Sequence, residues 1–173
     1  MDYFEVLSVP KRFSQDLKAL EKRFYELSRA LHPDRFQASG DRELQKQALE
    51  KMSLLNQAYT TLKNPDLRRA YILSLQEGPS QASPSAKKSG IPMDLAEEWF
   101  EIQDLRMDDP AAAGPRIQAF TGTIRTQISE CNDRLRRLED QYDQGHESVL
   151  AEIRETLNRR TTLESLLKDV LQS

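Results

Sequence analysis

The sequence predicts an all-α chain built as two helical parts. Apolar residues recur at three- and four-residue intervals along nearly all of it, which is the period of one helix face. No stretch shows the two-residue alternation of a half-buried strand. Gly and Pro are sparse, 6 and 8 of 173 residues, and they cluster between the periodic stretches.

The first element is short, around Phe4-Glu5-Val6-Leu7. A long helix follows, with Leu17, Leu20, Phe24, Leu27 and Leu31 on one stripe that stops at Pro33. Ser14 is its expected N-cap, with Asp16 in the first turn. After a polar loop from Pro33 to Gly40, a second long helix carries Ala48, Met52, Leu55, Tyr59 and Leu62 and ends before Pro65. A short fourth helix centres on Leu67, Tyr71 and Leu75. Two long helices joined by a short loop pack as an antiparallel hairpin. Its expected core is Phe4, Leu7, Leu17, Phe24, Leu27, Leu31, Leu55, Tyr59 and Leu62.

The stretch from Glu77 to Gly90 is small and polar. It has too little apolar surface to offset its ordering entropy and reads as a linker. The expected organisation is a first domain over 1–76, a linker over 77–90 and a C-terminal domain over 91–173. In the last of these, Leu95, Trp99 and Ile102 lead a segment ended by Asp108-Asp109-Pro110. Ile117, Phe120, Ile124, Ile128, Cys131, Leu135, Leu138 and Tyr142 form a long stripe that stops near Gly145, and Val149, Ile153, Leu157, Leu163, Leu167 and Val170 form another. Three antiparallel helices would bury these seams as a bundle.

Composition narrows the function. The chain is 38% apolar and 31% charged, with one cysteine and two histidines. That excludes a disulfide framework and a Cys/His metal cluster. No apolar run approaches the ~18–20 residues of a membrane span, and the acidic start Met1-Asp2-Tyr3-Phe4-Glu5 is neither signal nor transit peptide. The expectation is a cytoplasmic monomer without cofactor or metal. Residues 1–75 carry 13 Lys+Arg and 10 Asp+Glu, residues 76–173 carry 12 and 18. A basic front and an acidic back suggest two surfaces with different partners, neither a nucleic acid nor a membrane. No Gly-rich phosphate loop and no Ser/His/Asp set marks an enzyme.

His32-Pro33-Asp34 stands at the end of the first long helix. At about 100° per residue, Lys18, Lys22, Tyr25 and Arg29 share one side of that helix, opposite the leucine stripe. Arg35 extends the positive surface into the loop. Pro33 fixes its own backbone and pushes His32 out of helical geometry. The result is a stiff exposed corner bearing an imidazole and a carboxylate.

With this loop between two hairpin helices, the sequence resembles the J-domain family. Within it, Asp2-Tyr3-Phe4, Phe24…Leu31-His32-Pro33-Asp34-Arg35-Phe36, Asn56-Gln57-Ala58-Tyr59 and Pro65…Arg68-Arg69-Ala70-Tyr71 are similar to HscB-type co-chaperones of iron–sulfur cluster assembly. The resemblance implies a non-enzymatic role. His32, Pro33 and Asp34 would stimulate the ATPase of a DnaK-type chaperone (HscA-like), with Lys18, Lys22, Tyr25, Arg29 and Arg35 as the docking face. It also implies delivery of an iron–sulfur scaffold protein (IscU-like), or, as the alternative, of a different client.

The helix expected over 93–107 carries more apolar surface than a bundle needs. Leu95/Trp99/Ile102 and Met93/Ala96/Phe100/Met107 form two stripes, flanked by Asp94, Glu97, Glu98, Glu101 and Asp104. The expected outward stripe is Met93/Ala96/Phe100, because Trp99 continues the Leu95/Ile102 seam. Methionine and aromatic side chains ringed by carboxylates suit a partner surface, and Met93, Ala96, Glu97, Phe100 and Glu101 are the scaffold-binding candidates. On the last helix, where HscB-type proteins tend to carry an aromatic–aliphatic pair, this chain reads Arg159-Arg160, which could pair with the acidic helix or with the partner.

Overall fold

In the computed structural model, which describes residues 1–32, 42–77 and 91–172, every regular element among the described residues is a helix. The chain divides into two units, Met1–Ala82 and Ser83–Ser173. The expected linker, apart from Glu77, lies outside the described residues.

The first unit opens with α1 (Tyr3–Leu7). The Asp2 carboxylate accepts the Glu5 N–H at 2.9 Å, and the Glu5 carboxylate accepts the Asp2 N–H at 2.8 Å. This reciprocal cap satisfies two donors that any helix start leaves open. α1 buries Phe4 and Leu7.

α2 (Leu17–Leu31) starts from Asp16 rather than from Ser14. The Asp16 carboxylate accepts the Lys18 and Ala19 N–H groups at 2.9 and 3.2 Å; a charged acceptor gains further from the positive end of the helix. Starting there leaves Leu17 on the outside, 50% exposed, so it is not a core residue; Phe13, in the approach to the helix, is buried instead. Leu20 is buried, while Phe24, Leu27 and Leu31 are half-buried, because α2 forms one wall of a small hairpin and is not enclosed by it.

The other wall is α3 (Arg42–Lys63), which buries Ala48, Leu55, Ala58 and Leu62. Tyr59 is half-buried and stacks on Phe24 of α2, ring centres 4.2 Å apart. Asn64 then caps α4 (Pro65–Glu77), its side-chain oxygen accepting the Asp66 and Leu67 N–H groups at 2.9 and 3.1 Å. Pro65 sits at the first helical position, where its missing N–H costs nothing. α4 buries Ile72 and Leu73. Its Tyr71 hydroxyl accepts the Tyr3 N–H at 2.9 Å, and the two rings stack at 4.3 Å.

The second unit consists of α5 (Met93–Asp108), α6 (Pro110–Asp143), a 3-10 turn (Glu147–Val149) and α7 (Leu150–Gln172). Asp109 ends α5 and caps α6, accepting the Ala111 and Ala112 N–H groups at 3.1 and 3.2 Å. With Pro110 next, α6 begins well before Ile117, where the apolar stripe starts. Gly145, at φ 101°, turns the chain out of α6. The bundle core is Leu95, Ile102, Phe120, Ile124, Cys131, Leu163, Leu166 and Val170, with Trp99, Ile117 and Ile128 packed on it. Leu150 and Leu166 are more deeply buried than their neighbours Val149 and Leu167, the residues that the periodicity places on the apolar stripe.

Candidate functional site

Two exposed surfaces, one in each unit, carry the residues singled out from the sequence. The first is the outer side of α2. Lys18, Lys22, Tyr25 and Arg29 are all exposed there, Tyr25 to 59%. Leu20, on the opposite side, anchors the helix to the core. His32 caps the C-terminus of α2 with extended backbone (φ −59°, ψ 129°) and is exposed. That conformation is what a following proline imposes. Pro33, Asp34 and Arg35 lie outside the described residues.

Arg68 supports this surface from inside the unit. It is buried to 7% exposure. Its Nε donates to the Phe13 carbonyl at 2.7 Å and a terminal nitrogen donates to the Leu62 carbonyl at 2.5 Å. One guanidinium thus ties the approach to α2 to the C-terminal end of α3, where unpaired carbonyls favour a cation. Sequence reasoning noted Arg68 only within a motif. The signal for its burial is its position one turn before the buried Ile72 on the apolar side of α4.

The second surface is α5. Leu95 and Ile102 face the core, and Trp99 lies against Phe120 with ring centres 6.0 Å apart. The other stripe points outward: Met93 is 93% exposed, Phe100 61% and Met107 85%, with Ala96 half-buried between them. Glu97 is exposed beside it. Glu101 is exposed but engaged, accepting from Arg116 of α6 at 3.1 Å. Of the two α7 arginines, Arg159 reaches the acidic helix. It donates to Asp94 at 2.7 Å and to Gln127 of α6 at 3.0 Å, holding the Asp94 carboxyl below its usual range. Arg160 lies 3.4 Å from Glu164 within α7 and donates to Asn132 of α6 at 3.4 Å.

A groove of about 750 Å³ lies between α6 and α7 near Pro92. Its lining mixes Arg134, Arg137 and Arg159 with Glu130 and Glu155, unlike the apolar concavities that take small molecules. Among the described residues, no group of three or more His, Cys, Asp or Glu could hold a metal ion. Cys131 is buried in the bundle core, and burial pushes its thiol pKa up, away from reactivity;. No described helix is long and apolar enough to cross a membrane.

Residues 2–71 match the family model of the DnaJ domain, so the front unit carries a J-domain. Over 76 residues the chain is 51% identical to the co-chaperone protein HscB of Proteus mirabilis, a match that takes in 44% of this chain and 43% of that protein. The chain also resembles two solved structures over 99% of its length. The chaperone HscB from Vibrio cholerae matches at 24% identity and a TM-score of 0.56, over 96% of that chain; human co-chaperone protein HscB matches at 20% and 0.59, over 81%. The structural likeness gives the fold, an all-α J-domain followed by a helical bundle.

Proposed function

We propose that this protein is a non-enzymatic adaptor in iron–sulfur cluster assembly. Its J-domain stimulates the ATPase of a DnaK-type chaperone, HscA-like, while its bundle delivers an iron–sulfur scaffold protein, IscU-like. The observation that carries this is the exposed His32 at the end of α2, inside the DnaJ match, with Lys18, Lys22, Tyr25 and Arg29 exposed along the same helix. Exposed charges of this kind raise association rates and fix orientation, and salt weakens them. They are suited to bringing His32-Pro33-Asp34, with Arg35 beside it, to a network inside the partner. The work falls to the loop, and the cations align it.

The outward stripe of α5 is the scaffold-binding surface in this reading, through Met93, Ala96, Glu97 and Phe100, with Glu101 at its edge. Apolar side chains this exposed, ringed by carboxylates, fit a partner that offers an apolar patch with basic residues around it. A client other than an iron–sulfur scaffold would use the same surface.

The test is His32→Gln. It is expected to abolish stimulation of the chaperone ATPase in a steady-state phosphate-release assay. Stability should change by no more than ~0.5 kcal/mol, as for other exposed substitutions. Full stimulation by the variant would remove the loop from the mechanism.

A further inference from the structure

A chain of ring contacts leads from the exposed side of α2 onto α3. The Tyr25 ring centre is 5.6 Å from that of Phe24, Phe24 stacks on Tyr59 at 4.2 Å, and the Lys63 Nζ lies 5.3 Å from the centre of the Tyr59 ring. Lys63 itself is exposed. A lysine in the last turn of a helix is commonly held only by the negative helix end. Here the ammonium is also placed sideways, over an aromatic face towards α2. Its pKa is raised, first by the hydrogen bond to Tyr59 and further by the Glu21 carboxylate of α2. Lys63 is thus a cation on the Tyr59 ring, within electrostatic reach of Glu21 of α2.

We infer that the surface offered to the chaperone continues from α2 onto the end of α3, with Lys63, seated on the Tyr59 ring that stacks on Phe24 of α2, as a further anchoring cation for an acidic protein surface. This rests on the reading of α2 as the docking face. Three features support the extension. The charge has the sign of Lys18 and Lys22. The contacts between the two helices are continuous. The ammonium already rests over an aromatic face, a contact that lowers the cost of fixing a long side chain on binding;. Glu21 works against it, screening Lys63 in the free protein and repelling an acidic partner.

The experiment measures the association rate of the full chain with the isolated ATPase domain of a DnaK-type chaperone, by stopped flow at several salt concentrations. Lys63→Gln should slow association at low salt by about two- to fivefold and flatten its salt dependence, as rim charges do. Lys63→Arg should restore both, and Glu21→Gln should speed association. Lys22→Gln serves as the reference. If it slows association while Lys63→Gln leaves rate and salt slope unchanged, the extension onto α3 is wrong and the α2 face stands. If neither has any effect, the docking reading of α2 falls as well. A Lys63→Arg chain as slow as Lys63→Gln would also overturn the inference, because the cation would then be present without consequence.

Discussion

Arg68 shows how much one buried side chain can hold in a small domain. Its guanidinium satisfies the Phe13 and Leu62 carbonyls at 2.7 and 2.5 Å, and no apolar residue of similar volume could do so. Arg68→Met should therefore destabilise the first unit by about 1–3 kcal/mol, the cost of stranding buried acceptors. A lowered denaturant midpoint with an unchanged slope would show it. An unchanged midpoint would mean that water reaches both carbonyls. At this scale the sequence was legible where chemistry is local. Asn64-Pro65 and Asp109-Pro110 read as helix boundaries because cap and proline sit in the residues that need them. The choice of Asp16 over Ser14 was less legible, since both are good caps and only the burial of Phe13 sets where α2 can begin.

Among the elements, α5 depends most on its neighbours. Arg159 of α7 and Gln127 of α6 converge on Asp94 in its first turn, fixing the end from which Met93 projects. The hydrogen bond from Arg159 lowers the Asp94 pKa below its ordinary 3.8. A lowered carboxylate pKa stabilises the folded state fully above the ordinary value, and the gain is lost as pH falls through the lowered one. Both side chains are close to half exposed, at 44% and 47%, so solvent screening keeps the contribution to about 0.2–1 kcal/mol. Arg159→Gln should lower the urea midpoint slightly at pH 7 and not at all once Asp94 is protonated. An equal loss at both pH values would assign Arg159 to packing instead of charge. The two stripes of α5 were visible in the sequence as a surplus over what a bundle needs. Which one turned inward followed from Trp99, whose ring meets Phe120. The partner of Arg159 was open between the acidic helix and a bound protein, since i, i+3 and i, i+4 spacing reports faces and not distant pairings.

For the whole molecule, the adaptor reading requires two sites that can be lost one at a time. The chain's construction favours this. Each unit buries its own aromatic and aliphatic core, around Phe4, Leu55 and Leu62 in the first and around Phe120, Ile124 and Leu163 in the second. The charge asymmetry between the halves, visible in the sequence, gives each surface a different preferred partner. Met93→Ala combined with Phe100→Ala removes two outward side chains of α5 without opening a cavity, since neither is a core residue. We expect scaffold affinity, measured by calorimetry, to fall about tenfold or more, as when central apolar anchors are truncated. Basal stimulation of the chaperone ATPase should be unchanged, because in this reading it needs only the first unit. His32→Gln should give the converse, with scaffold affinity intact and stimulation gone. Equal scaffold affinity in the double variant would return the stripe to an unassigned surface. A parallel loss of basal stimulation would show that the second unit takes part in the first unit's work, and the division into two independent sites would have to be given up.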